Sequence, residues 1–293
     1  MRTGPWLLAV GLGLVGASRA ARADGPIDPV RQARLPIPAA PDAGGPVLVR
    51  SGVAGTVGCC PERGRRRSRP WTLALEGGPV WLARNDAALP GDVGTRFGLD
   101  EVTGSGPFAW SRITVTVPWG ARHEVRVLFA PLDIQETGTL DRDVRFRGRT
   151  FAAGVPTRAT YRFDSWRATY RYLLACGRDW SLKVGGTLKV RDAEIALEQG
   201  GVRERKLDLG LVPLVHLAFE KRLARRWRLR AELDGLAAPQ GRAFDGALTL
   251  LHDATDRWSI GLGYRTLEGG ADNDDVYTFA WLHQVFLTIE ARF

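Results

Sequence analysis

Residues 71–293 predict an all-β fold, a transmembrane antiparallel β-barrel of about ten strands. Three features of the sequence carry that prediction. Apolar residues recur at every second position, the segments that do so run to ten or more residues, and the connections between them alternate long and short. Period two marks a strand with one apolar face, because successive side chains point to opposite sides of a sheet. A soluble sandwich shares the alternation, with its charged face in water. It does not share the lengths, which match the roughly ten tilted residues a strand needs to cross a bilayer.

The chain opens with Arg2, an apolar stretch from Trp6 to Val15, and Ala21-Arg22-Ala23, the pattern of a secretory signal peptide over 1–23 cleaved after Ala23. That stretch is too short to anchor the chain as a membrane helix. Residues 24–70 hold eight of the seventeen prolines, lack an apolar period and end in the basic run Arg63-Gly64-Arg65-Arg66-Arg67-Ser68-Arg69. Such a composition buries too little apolar surface to offset the entropy of ordering it, so it reads as a disordered periplasmic linker. Most of the net charge of +9 resides in these two segments. The remainder is nearly neutral, which excludes a nucleic-acid partner. Adjacent cysteines rarely bridge each other, so Cys59, Cys60 and Cys176 give no readable disulfide framework, and Cys59 lies too far from the leader for a lipid-attachment box.

Ten strands are expected near 71–84, 108–117, 123–136, 158–174, 180–192, 208–222, 226–236, 243–253, 257–268 and 277–293. Odd-numbered connections run as long as twenty-three residues, whereas even-numbered ones never exceed five. An even strand number returns both termini to one side, the periplasm. Between strands 3 and 4, the alternation of VRFRGRTF could prolong both beyond the membrane. Three strands open with one phrase just after a tight turn, RDWSLKV, RRWRLRA and DRWSIGL. Trp180, Trp227 and Trp258 would therefore lie at the lipid headgroups as an inner aromatic girdle.

The leader, the alternating strands and the terminal VFLTIEARF together resemble a Gram-negative outer-membrane β-barrel protein, whose members usually end in phenylalanine after alternating apolar residues. Phe293, Ile289, Leu287 and Val285 match; Ala291 stands where the family often has an aromatic. The resemblance implies an outer-membrane location, contact with outer-membrane lipid and lipopolysaccharide, and assembly by the barrel-insertion machinery, with Phe293 as its signal. It fixes no oligomeric state.

Strand parity points Arg112, Arg126, Arg167, Arg171, Lys183, Lys189 and their acidic neighbours inward, which would plug so small a barrel. A diffusion pore needs roughly sixteen strands, so at most a narrow solute channel remains. Closing 223–225 as a turn sets Arg222 opposite Arg226, Glu220 opposite Arg228 and His216 opposite Glu232. Closing 254–256 sets Asp245 opposite Arg265. Opposed residues lie about 5 Å apart at Cβ, within reach of charge-assisted hydrogen bonds.

The connection between strands 7 and 8 brings Asp234 opposite Asp245 near the outer mouth, beside Arg265. Two close carboxylates are a candidate acid–base dyad. Omptin proteases are similar in being ten-stranded barrels with acidic residues at the mouth. Here, however, no Asp-x-His pair follows, and Arg265 would neutralise the pair. None of His123, His216, His252 or His283 sits in a His-x-Ser phrase of the kind sought for lipid A deacylases or the outer-membrane phospholipase. No metal-ligand spacing is present, and Asp272-Asn273-Asp274-Asp275 lacks the glycine and distal glutamate of a calcium loop, so neither metal nor cofactor is expected. The sequence therefore reads as an envelope structural or surface-interaction component, with a hydrolase at the mouth or a narrow channel as alternatives.

Overall fold

The computed structural model describes residues 70–293 except 92, 239, 240, 274 and 275. The leader, the linker, Cys59 and Cys60 lie outside the described residues. In chain order the elements are β1 (Thr72–Ala88), β2 (Phe97–Gly98), α1 (Asp100–Thr103), β3 (Phe108–Trp119), β4 (His123–Ala130), β5 (Asp133–Thr139), β6 (Val144–Phe146) and β7 (Arg149–Phe151). There follow β8 (Pro156–Cys176), β9 (Trp180–Gln199), β10 (Val202–Ala224), β11 (Trp227–Ala238), β12 (Gly241–Asp253), β13 (Trp258–Asn273) and β14 (Val276–Arg292).

Ten staves close one antiparallel ring. β4 and β5 together make the third stave, and β1 pairs with β14 from Thr72↔Arg292 to Ala88↔Tyr277 to shut the barrel. Outside, Leu209, Leu287 and Leu262 are 75%, 67% and 56% exposed, whereas inside, His216, Arg167 and Glu290 are 0%, 3% and 3% exposed. Apolar groups out and charges in is the arrangement that lipid demands and water forbids. The architecture is that of an outer-membrane β-barrel.

The two ends of the barrel differ. At the turn end the staves are joined by short links, two of them Arg225-Arg226 and the four residues 254–257. At the other, loop end, connections 89–107 and 140–155 carry β2, α1, β6 and β7. The remaining loop-end connections are shorter than the sequence suggested, because strands prolong into them. β9 and β10 meet at Gly200-Gly201, both at positive φ, and run to 20 and 23 residues, about twice a membrane crossing. VRFRGRTF does not extend the third and fourth staves. It folds into a separate hairpin, β6–β7.

β5, β8, β9 and β10 thus continue past the ring as a four-stranded projection. Its inner face packs Ile134, Tyr161, Ile195 and Leu197 into a core with Phe97, Leu99, Leu140 and Phe146. α1 lies against β5, because Gly138 there has no side chain; a Cβ would come 2.5 Å from the Val102 carbonyl. Glu101 accepts the Gly98 amide at 3.1 Å and so fixes the approach to α1. Cys176, at the turn end of β8, is disulfide-bonded, which the cysteine spacing had not revealed. Its partner is not among the described residues.

Candidate functional site: the charged lumen

Period two selects which side chains enter the lumen, and turn length selects which of them meet. The expected registers need correcting by two residues. The β10–β11 turn is only Arg225-Arg226, and a bulge between Arg222 and Ala224 shifts the register beyond it, so Arg222 faces Arg228, Glu220 faces Arg230 and His216 faces Asp234. The β12–β13 turn is longer than expected, its backbone held where Trp258 N donates to Thr255 Oγ1 at 3.0 Å, and Asp245 faces Leu267 while Arg265 faces Ala247. A shift of two preserves parity, so every one of these side chains stays inside. The long arginines reach across diagonals instead.

At the turn end, Arg228 donates to Glu220 at 3.0 Å and to Asp253 at 2.9 Å, while Arg230 bonds Glu220 at 3.1 Å and also Glu290. Arg292 joins through Asp253 at 2.8 Å. Glu220, Arg228, Arg230, Glu290 and Arg292, with Glu124, Arg126 and Lys183, line a cavity of about 230 Å³. Deeper, Arg126 of β4 crosses to Glu232 of β11 at 2.7 Å, and Arg171 bridges Glu232 at 3.2 Å and Glu124 at 2.8 Å. Lys183 donates to Glu124 at 2.8 Å.

Asp234 and Asp245 do face each other across β11 and β12. They do not lie at the mouth, however, being only 8% and 4% exposed beneath the apolar core. Arg167 of β8 spans the lumen, donating to Asp234 at 3.1 Å and forming an ion pair with Asp245 at 2.7 Å. Asp245 also accepts from Arg265 at 2.7 Å and Arg112 at 3.2 Å, and Arg265 continues to Glu76 at 2.9 Å. Asp234 accepts from Thr187 at 2.7 Å and pairs with His216 Nδ1 at 2.8 Å, a partner the sequence had assigned to Glu232. This geometry ties eight staves together. No bound proton is needed to reconcile the carboxylates, because guanidinium groups lie between and around them.

Above this layer the filling changes character. Lys189 lies 4.6 Å from the Phe163 ring, Arg265 5.4 Å from Phe286 and Arg112 5.9 Å from Trp110, a seam of cation–π contacts. Trp110 and Phe286 meet edge to face with centroids 5.8 Å apart. Phe286 occupies the room that its cross-strand partner Gly263 leaves, where a Cβ would come 2.2 Å from the ring. From there to the loop end the interior is the apolar core. Glu76 and Ser165, Thr169 and Thr187, together with the Phe163 seam, are lumen groups that sequence reasoning missed; strand parity alone would have found most of them.

On the outer wall at the turn end, Trp227 and Trp258 are 42% and 50% exposed, with Trp180 partly buried two staves from Trp227. Phe293 stacks on Trp71 at 4.2 Å and donates its amide to the Trp71 carbonyl at 3.0 Å. Among the described residues no group of three or more His, Cys, Asp or Glu side chains could hold a metal ion. Part of the loop 272–275 lies outside the described residues.

No protein-family model matches this chain, and no curated protein does. Among solved structures, it is similar to the outer membrane protease OmpT from Escherichia coli, at 6% identity over 77% of this chain and 97% of that one, with a TM-score of 0.47. It is also similar to Ail of Yersinia pestis, solved with the heparin analogue sucrose octasulfate (11%, 76% and 99%, TM-score 0.37). A third likeness is to the translocator domain of the autotransporter NalP from Neisseria meningitidis (9%, 78% and 90%, TM-score 0.38). No activity passes to this chain from any of them.

Proposed function

We propose that the protein is an outer-membrane barrel closed to solutes, a rigid platform that holds a structured projection at the cell surface. The observation that carries this reading is the double filling of the interior. Ion pairs from Arg126, Arg167 and Arg112 reach staves on the far side of the lumen, and beyond them lies a core of buried apolar side chains. In this reading the turn end is periplasmic, the linker 24–70 follows a cleaved leader, and the projection is extracellular. Outer-membrane lipid and lipopolysaccharide surround the wall, and the barrel-assembly machinery recognises the strand ending in Phe293.

The test is single-channel recording on the purified protein in planar bilayers. The expected trace is flat. Stable conductance steps would overturn the closed-barrel reading and favour the narrow channel. The dyad reading is tested by Asp234→Ala: loss of barrel stability is expected, because Asp234 anchors Arg167, Thr187 and His216.

A further inference from the structure

The two edges of the projection are treated differently. On one side β5 is covered by α1, the usual way to blunt a free sheet edge. On the other side, β10 bonds β9 along its length, from Lys221↔Trp180 to Val202↔Gln199, but its pairing with β11 stops at Val215↔Gly235. Among the described residues, 202–214 have one ladder partner only.

The direction of the unused groups follows from parity. The Arg222 amide donates to the Asp179 carbonyl, so even-numbered residues of β10 turn their amides and carbonyls toward β9. The β9 register runs without a shift from 221 to 202, so odd-numbered residues point theirs to the open side. Pro213 is odd-numbered, which puts its missing donor where no ladder bond is made. Arg203, Arg205, Leu207, Leu209 and Leu211 supply the open edge. Their side chains alternate onto the outer wall, with Leu207 and Leu209 50% and 75% exposed.

Lipid does not account for Leu207 and Leu209, whereas Leu211 shares its rung with Val190 and Trp166. Leu209 is level with Asp192 and Asp164, and Leu207 with Glu194 and Arg162, in the same rungs of β9 and β8. The wall at that height is charged and therefore in water.

We propose that the open edge of β10 is a strand-addition site for an extended segment of another protein. Its ligand runs antiparallel, extending an antiparallel sheet. Apolar residues lie opposite Leu211, Leu209 and Leu207, and acidic ones opposite Arg205 and Arg203. From the ligand's N terminus the pattern is apolar-x-apolar-x-apolar-x-acid-x-acid. A second copy in the same membrane does not fit, because both copies present β10 in the same sense and two-fold pairing through this edge needs opposite senses.

The test uses the full barrel in detergent and the labelled peptide VTVTVTETE, read by fluorescence anisotropy. Saturable binding is expected. Leu209→Pro should weaken it at least tenfold, because that amide serves the edge and no bond to β9. The charge-reversed peptide VTVTVTKTK should weaken it similarly. A version of the peptide N-methylated at its third, fifth and seventh residues probes the same ladder without altering the protein. Absence of saturable binding, or equal binding by the variant, the reversed or the methylated peptide, would overturn the site. The inference rests on the projection being a surface-interaction element, and conductance and peptide binding fail separately. A conducting barrel that binds the peptide keeps the edge, whereas a silent barrel that ignores it loses the edge alone.

Discussion

The lumen and the core of the projection are enclosed by one continuous wall, yet they are filled by opposite means. In the lumen, Asp245 takes hydrogen bonds from Arg112 and Arg265 and an ion pair from Arg167, on three different staves. In the projection, Phe146, Phe151 and Phe97 pack by contact alone, with centroids 6.0–6.4 Å apart. Charges removed from water are costly unless every one is paired, so a filling of ion pairs behaves as a unit. An apolar filling loses only the contacts of the group removed. The lumen should therefore fail globally and the projection locally.

The largest effect should come from Asp245→Ala, which leaves three guanidinium groups short of a partner in a buried site. Breaking a buried pair from one side costs on the order of 3–5 kcal/mol. The expected outcome is a barrel that unfolds at markedly lower temperature in detergent, read from its heat-modifiable gel migration. Unchanged heat resistance would show that the lumen is not held as a unit.

Phe146→Ala should cost a similar sum, roughly 3–5 kcal/mol, but confined to the projection. Phe146 is fully buried on β6, and the hairpin it belongs to pairs with no stave. Limited proteolysis should then cut within 140–155 while the gel migration of the barrel stays as it was. If the barrel softened too, the separation of the two fillings would be wrong.

The contrast also explains what the sequence could and could not disclose. Stave number, strand centres and the inward side of each charge were legible, because period two survives any even shift in register. The partners were not. Glu220 meets Arg228 by a diagonal, and Arg167 meets Asp245 across the lumen, where the curvature and stagger of the wall decide the meeting. The prolonged strands were hidden by charge: Glu194 looks like a loop residue, yet Ile195 and Leu197 continue the inward stripe and Gly200-Gly201 is a hairpin turn signal. The register errors at 223–225 and 254–256 came from assuming three-residue turns at both.

Phe293 belongs to neither filling, and so calibrates both. It is 59% exposed and its ring contacts Trp71 alone among the described aromatic pairs. Full burial of such a side chain would contribute about 1.5–3 kcal/mol, and this one is far from fully buried. Deleting it should leave detergent refolding nearly intact while unfolded protein accumulates in the periplasm of cells. Normal outer-membrane levels of the deletion would remove the terminal residue from the assembly signal.

The smallest effect separates the regions by pH. Asp100 opens α1, outside the ring, and burial holds its carboxyl above the usual carboxylate range. Backbone hydrogen bonds oppose that shift, while the charges of Asp86 and Glu101 reinforce it. A folded pKa above the unfolded one means that the docked helix binds a proton more readily than the undocked one. Its contribution is therefore complete below the unfolded value, about 3.9, and is lost as pH rises through the folded value. The amides of Val102, Thr103 and Gly104 report docking, since they donate to Leu99 and Asp100 at 2.9–3.0 Å. Their hydrogen-exchange protection factors, which divide out the intrinsic pH dependence, should rise between about pH 7 and about pH 4. Asp100→Asn should flatten that rise, because the amide has no charge to lose. Protection that falls on acidification, or that rises equally in the Asn variant, would place the pH response elsewhere in the projection.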